Sequence, residues 1–288
     1  MNSPTRRIWL CADDYGMAPG VNAAIRELIA RGRLNATSVM TAAPHLDAEA
    51  AYALELVNSG EKRAALGLHV TLTGPFAPTS EGFAPLRDGR FPPLEEMLRL
   101  AMLRRLQPEQ LTIEIATQLR AFIEMFGRPP DFVDGHQHVH LLPQVRDVFL
   151  AVVAETAPAA WVRQCGRAPF AWRLADHKGL VLDVLSLGFR RAAERRGLTT
   201  NPAFAGAYSF NSQADFTQIF PRFLNGLPDG GLIMCHPGFV DAELERLDPL
   251  TTLREHEFAF FGSDAFPRLL AEHNVTLVQA TGEGGDTA

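Results

Sequence analysis

The sequence predicts an α/β fold: a TIM-like (β/α) barrel, distorted or incomplete, in which about seven strands alternate with helices. Short apolar runs of strand length recur between helical segments whose apolar residues return at every third or fourth position. Acids or histidines stand within or just after four of these runs, and a parallel barrel brings such strand ends to one mouth. A doubly wound open sheet is the alternative.

The first βα unit carries two adjacent acids. Residues 7–12 form an apolar strand that leads into Asp13 and Asp14, and a helix begins at about Pro19 and ends at Gly32. Its apolar stripe consists of Val21, Ala24, Ile25, Leu28 and Ile29. Because α/β folds place their chemistry at the carboxyl ends of strands, both acids are candidate functional residues. Alternatively, one of them only caps the helix, although a cap would lie nearer Pro19.

The next elements alternate in the same way. In order, we predict strand 36–40, helix 47–57, strand 65–72, a Gly- and Pro-rich loop 73–93, and helices 94–106 and 108–126. Gly127 ends the last of these helices ahead of a Pro-Pro pair. The third strand contains His69. A lone histidine in an apolar strand is more often a core residue than a ligand, so His69 becomes a candidate only together with the other motifs.

Segment 131–140 carries His136, His138 and His140 at alternate positions after an apolar approach. In an extended strand alternate side chains share one face, so we expect the three imidazoles to line one surface. Such a row suits metal binding or proton transfer. The alternative is an exposed edge strand with solvated histidines.

The second half of the chain continues the alternation. A helix opens at Pro143, strand 160–163 ends in Arg163, and an apolar run at 231–235 leads into His236. We further predict helices 180–195, 214–225 and 263–273, and a strand 275–279 that closes the sheet. Arg163 is expected at the same mouth as a substrate contact; alternatively, it is a surface arginine or one held in a salt bridge.

Composition excludes several classes of protein. The 288 residues are 47% hydrophobic, which allows a sizeable core, and a formal charge of −6 without a basic patch argues against nucleic acid as a partner. The three cysteines are far apart and suggest neither a disulfide framework nor a CxxC zinc site. No signal peptide or membrane span is predicted, so we expect a cytoplasmic protein, with a homodimer as the default oligomer. One domain is expected over residues 1–281, followed by a flexible tail at 282–288.

Four motifs, in this order, resemble those of the YdjC-like carbohydrate deacetylases, which include chitooligosaccharide deacetylases and hopanoid-biosynthesis-associated deacetylases. The matching segments are 12–16, 67–70, 134–140 and 235–241, with a weaker match at 254–257. Tyr15 stands where the family usually has Phe, and Gln137 where many members have a further His. The second departure makes Gln137 an unsuitable ligand and leaves His136 as the candidate.

The resemblance implies roles for the candidate residues. Three of them would bind one divalent cation, magnesium or zinc: Asp14, His69 and His136. Asp13 would be the general base. His236 would be the general acid or would orient the base, and His138 and His140 would contact the metal ligands or the substrate.

The implied reaction is metal-dependent removal of the N-acetyl group from an amino sugar, with release of acetate. The sugar would be a chitooligosaccharide or a glycolipid headgroup. Four side chains could stack on sugar rings, or could belong to the core: Pro78, Phe83, Trp172 and Phe204. The alternatives are another single-metal hydrolase, such as a phosphoesterase or amidohydrolase, and a sugar- or metal-binding protein without turnover.

Overall fold

A computed structural model describes residues 4–60, 63–168, 177–208 and 214–278, and it confirms the alternation of strands and helices. The strands are β1 (Arg6–Tyr15), β2 (Ala36–Val39), β3 (Ala65–Val70), β4 (Phe132–Gly135), β5 (Trp161–Val162), β6 (Phe204–Ala205), β7 (Leu232–Cys235) and β8 (Val275–Leu277). The helices are α1 (Pro19–Ala30), α2 (Ala48–Val57), α3 (Leu94–Met102), α4 (Pro108–Phe126), α5 (Val145–Thr156), α6 (His177–Glu194), α7 (Phe216–Leu224), α8 (Ala242–Leu247), α9 (Thr252–Gly262) and α10 (Ala265–Glu272).

The sheet is parallel and curled, with the strand order β5-β4-β3-β2-β1-β7-β6. The strands therefore follow one another around a ring in the order in which they occur in the chain, and the ring is open between β5 and β6. In a flat sheet the chain would have to cross the whole sheet between these two strands, whereas in a curled one they face each other across a seam. The distorted, incomplete barrel is therefore confirmed, and the doubly wound alternative is wrong.

The seam is joined by irregular backbone instead of a regular ladder. The amide of Val162 donates to the carbonyl of Thr199 at 2.9 Å, and the amide of Phe204 donates to the carbonyl of Gly166 at 2.9 Å. The buried side chain of Asn201 accepts from the amide of Gln164 at 2.8 Å and donates to the carbonyl of Gln164 at 3.0 Å. One amide side chain thus replaces two backbone partners that a further strand would supply.

The last strand does not close the sheet as predicted. β8 pairs with Arg6, Arg7 and Ile8, at the start of β1 and away from its carboxyl end. Residues 279–288, which include the tail expected at 282–288, lie outside the described residues. The buried apolar residues form one continuous cluster from Ile8 to Val275, which supports the proposal of a single domain.

Local sequence signals explain several helix boundaries. The side chain of Asp47 accepts from the amide of Ala50 at the start of α2, and Gly127 ends α4 with a left-handed φ of 67°. Helices α8 and α9 and the two-residue β6 are not predicted from the sequence. On α9, Arg254 and Glu257 occupy buried positions of the inward face, so the apolar period that would predict this helix is interrupted.

No helix within the described part of the chain is long and apolar enough to cross a membrane.

We predict that Asn201→Ala lowers the free energy of unfolding by about 1–3 kcal/mol, because it leaves buried backbone groups of the seam without partners. Denaturant unfolding followed by circular dichroism would measure the change. Asn225→Ala, at an exposed helix end, is the control and should stay within about 0.5 kcal/mol of wild type. Equal stability of the two variants would contradict the role of Asn201.

Candidate active site

The candidate residues meet at the carboxyl end of the curled sheet. Asp13 and Asp14 lie near the end of β1, His69 lies near the end of β3, and His136 directly follows β4. In a regular strand the two adjacent acids would point to opposite faces. Here the pairing register of β1 and β2 shifts between Ala12 and Tyr15, and Asp14 has a left-handed φ of 74°. This local distortion brings both acids to the same site, and such backbone strain is typical of functional positions.

Asp14, His69 and His136 form a compact group whose ligand atoms all lie within 4.8 Å of one another. Asp14 Oδ1 is 3.1 Å from His136 Nδ1 and 3.5 Å from His69 Nε2. Ligands that each sit about 2.1 Å from one ion are separated by roughly 3.0–3.4 Å. The spacing and the mixed carboxylate and imidazole chemistry therefore fit one divalent cation.

Asp134 orients the ring of His69 so that Nε2 faces Asp14. His69 Nδ1 lies 2.5 Å from Asp134 Oδ1, which leaves Nε2 directed toward Asp14. Burial lowers the pKa of His69, but the nearby carboxylates of Asp134 and Asp13 outweigh it and raise that pKa to about 10. A carboxylate behind a histidine ligand fixes the tautomer and makes the ligand more basic. Asp134 lies in one of the sequence motifs, but the sequence alone gives it no role.

Arg163 is buried against Asp13 instead of facing a substrate. Its Nη1 donates to Asp13 Oδ2 at 2.7 Å and its Nη2 donates to Asp13 Oδ1 at 2.6 Å, while Nη2 also pairs with Asp134 Oδ2. Burial alone raises the pKa of Asp13, but Arg163 and His69 together hold it below its usual range. Of the two expectations for Arg163, the salt bridge fits this geometry and the substrate contact does not.

A second group of possible ligand atoms consists of Cys11, Asp13 and Asp134. The Arg163 guanidinium lies against all three, with Nη2 3.0 Å from Cys11 Sγ. The positive charge of the Arg163 guanidinium therefore already compensates these carboxylates. The arrangement fits a site for one metal ion beside one buried arginine.

The expected row of three histidines on one strand face is wrong. β4 ends at Gly135, and His136–Leu141 forms a short 3-10 segment in which Gln137 and His138 have left-handed φ angles of 52° and 60°. The alternation of an extended strand is lost there, so the three imidazoles point in different directions. Only His136 joins the metal-ligand group.

The other two histidines have separate environments. His140 is fully buried against Phe149 and Phe189, and its Nε2 donates to the carbonyl of Arg163 at 2.8 Å. Burial lowers the pKa of His140 well below its usual range, so it is a neutral core residue and an unsuitable substrate contact. His138 is half-buried, with Nδ1 3.4 Å from Cys165 Sγ, and burial followed by the charge of Arg163 lowers its pKa to about 3. A substrate contact remains proposed for His138 alone.

His236 follows β7, on the opposite side of β1 from His69 and His136. Its backbone amide donates to Glu257 Oε2, and the Tyr208 hydroxyl donates to Glu257 Oε1 at 3.0 Å. Burial lowers the pKa of His236 against the opposing attraction of Asp14. Burial also raises the pKa of Glu257 to about 7. Neither Tyr208 nor Glu257 could be assigned from local sequence, because both act through a contact between distant segments.

The structure also places the residues that were considered for helix capping and for sugar stacking. Neither Asp13 nor Asp14 caps α1, whose N-cap is Ala18 with no side-chain hydrogen bond. Of the four side chains considered for sugar stacking, Phe83 and Phe204 are buried, Pro78 is half-buried, and Trp172 lies outside the described residues.

The sequence matches a known protein family and a relative with a named activity. The family described as YdjC-like protein matches residues 7–272. The chain is 26% identical to a chitooligosaccharide deacetylase from Escherichia fergusonii over 253 residues, which covers 86% of this chain and 84% of the relative.

Solved structures share the fold. A proposed cellobiose-phosphate cleavage protein from Enterococcus faecalis V583 has a TM-score of 0.70 at 19% identity, covering 96% of this chain and 97% of the other. An uncharacterized protein from Agrobacterium tumefaciens C58 has a TM-score of 0.52 at 9% identity, covering 97% and 89%. At these identities the likeness establishes the fold alone.

We predict that Asp134→Ala weakens divalent-metal affinity by about 10–100-fold, because His69 loses the carboxylate that fixes its tautomer. Asp134→Asn should have a smaller effect, since an amide oxygen can still accept from His69 Nδ1. Competition with a chromogenic chelator would measure both affinities. Asp215→Asn, at an exposed helix cap, is the control. Wild-type affinity in Asp134→Ala would contradict the role of Asp134.

Proposed function

The chain belongs to the YdjC-like family, and on that premise we propose that it is a metal-dependent hydrolase that removes the N-acetyl group from an acetylated amino sugar and releases acetate. The main support for the proposal is that the two adjacent acids, Asp13 and Asp14, have different partners. Asp14 faces two imidazoles in a metal-ligand arrangement, whereas Asp13 is held by Arg163 beside it. Hydrolysis of an amide by activated water needs both kinds of group.

Asp14, His69 and His136 are proposed to hold the cation. When bound, a divalent cation polarises the acetyl carbonyl and lowers the pKa of water. Two imidazoles favour zinc or a related transition metal, and a carboxylate also suits magnesium, so both metals belong in the test. Three protein ligands leave positions for water and for the acetyl oxygen.

Asp13 is proposed to remove the proton from the attacking water. Arg163 keeps this carboxylate ionised and fixes its plane through two hydrogen bonds, and Ser38 Oγ donates a third to Asp13 Oδ1 at 3.1 Å. Oδ1 already accepts from Arg163 and Ser38, whereas Oδ2 accepts from Arg163 and has a second lone pair, so Oδ2 is the atom at which Asp13 can accept a proton.

His236 is proposed to protonate the departing amine. Because β1 lies between β7 and β2, His236 approaches the acids from one side and the metal-ligand histidines approach from the other. Burial lowers the pKa of His236, while the nearby carboxylate of Asp14 favours the protonated form that a proton donor needs. The backbone contact with Glu257 holds the start of the His236 loop in place.

The proposed substrates are N-acetylated sugars of the chitooligosaccharide type or acetylated glycolipid headgroups. The relative named chitooligosaccharide deacetylase supports the first class. His138, half-buried next to His136, is the residue of the histidine segment that remains available for a sugar contact.

We predict that Asp13→Asn retains the metal but lowers kcat by about 10²–10⁴-fold, because an amide cannot accept the proton of water. Asp14→Ala and His136→Ala should lose metal and activity together. Metal content by mass spectrometry and turnover on the same samples would separate the two effects. Full activity in metal-loaded Asp13→Asn would contradict the assignment of Asp13 as the general base.

The direct test of the function is acetate release from N,N′-diacetylchitobiose by the metal-reconstituted protein, with a chelator-treated control. We expect release that stops with the chelator and returns with added metal. If acetate is released only from an acetylated glycolipid headgroup, the deacetylase stands and the sugar class changes. Hydrolysis of p-nitrophenyl phosphate without acetate release from either sugar would favour a phosphoesterase and contradict the proposal.

A further inference from the structure

Arg254 on α9 contacts the one carboxylate of the proposed metal-ligand group. Its Nη2 donates to Asp14 Oδ2 at 2.7 Å, and the side chain is fully buried. The other oxygen of Asp14, Oδ1, faces the two imidazoles of His69 and His136. The two oxygens of one carboxylate are therefore divided between a guanidinium and the metal-facing side.

Arg254 is held firmly in this position. Its Nη2 also pairs with Asp248 Oδ2, and its Nε donates to the carbonyl of Leu250 at 3.0 Å. Its own carbonyl accepts from the amide of Gly238, in the turn that follows His236. The guanidinium is thus fixed by the segment before α9, and the backbone of Arg254 is held by the loop of the proposed acid.

This contact has a consequence for coordination chemistry. A carboxylate can bind a cation through one oxygen or through both. An oxygen that accepts a charge-assisted hydrogen bond from a buried arginine is less available as a second ligand atom. A second ligand oxygen from Asp14 would occupy a position that hydrolysis needs for water or for the acetyl oxygen.

We propose that Arg254 is a positioning residue that restricts Asp14 to a single ligand oxygen, Oδ1, and thereby keeps a coordination position open for the reactants. This inference rests on the metal site of the proposed function. It differs from a purely structural role, in which Arg254 only neutralises a buried carboxylate and has no influence on the number of ligand atoms.

The test uses Co²⁺, whose visible absorption weakens as its coordination number rises. Wild type, Arg254→Met and Arg254→Lys would be titrated with Co²⁺, and their spectra, affinities and deacetylase kinetics compared. Arg31→Met, which removes an exposed arginine that contacts the last residue of α9, is the control. Thermal unfolding would identify any variant that does not fold, and Arg254→Lys preserves the positive charge if Arg254→Met fails.

We expect Arg254→Met to bind one Co²⁺ as tightly as wild type or up to about tenfold more tightly, because a nearby positive charge is lost and a second oxygen is freed. Its absorption should be weaker than that of wild type, and kcat should fall about tenfold or more with little change in KM. Arg254→Lys should recover part of both effects. Arg31→Met should match wild type.

Two results would overturn the inference. An unchanged Co²⁺ spectrum in folded Arg254→Met would show that Asp14 has the same number of ligand oxygens without the arginine. A large loss of Co²⁺ affinity would show that Arg254 is needed to present Asp14 at all. Failure of the metal site itself is seen separately, because wild type and Asp14→Ala would then bind Co²⁺ equally.

Discussion

The buried ion pairs of Arg163 are the interaction on which the rest of the site depends. Two carboxylates, Asp13 and Asp134, lie in the interior with almost no solvent exposure, and unpaired charges there would be costly. One guanidinium compensates both. Asp134 in turn fixes His69, so the same cation connects the proposed base to the metal ligands. Removal of Arg163 would therefore disturb both halves of the site.

Much of the fold could be predicted because its signals are local. The apolar runs, the helical stripe of α1 and the stop at Gly127 each depend on a few neighbouring residues, and the alternation of elements implies a barrel. The seam between β5 and β6 could not be predicted, since it depends on contacts such as Asn201 with Gln164 between separate segments. The pairing of β8 with the start of β1 is a long-range choice of the same kind.

The grouping of the candidate residues could be predicted where a residue type at a strand end suffices, and not where backbone geometry or distant partners decide. The prediction that three histidines share one strand face is wrong because Gln137 and His138 adopt left-handed φ angles. Neither residue type indicates such an angle in the sequence. Arg163 and Arg254 meet their acids across 150 and 240 residues of chain, and a buried arginine looks like a surface arginine in sequence. These two ion pairs are what make two adjacent, identical side chains chemically different.

Anomalous diffraction from crystals soaked in Zn²⁺ or Co²⁺ would test the central claim most directly. We predict one strong peak bounded by Asp14 Oδ1, His69 Nε2 and a ring nitrogen of His136, with Arg163 still paired to Asp13. A peak among Cys11, Asp13 and Asp134, with Arg163 displaced, would contradict this division of roles between the two acids. The absence of any peak at Asp14 in metal-saturated crystals would contradict the metal site itself.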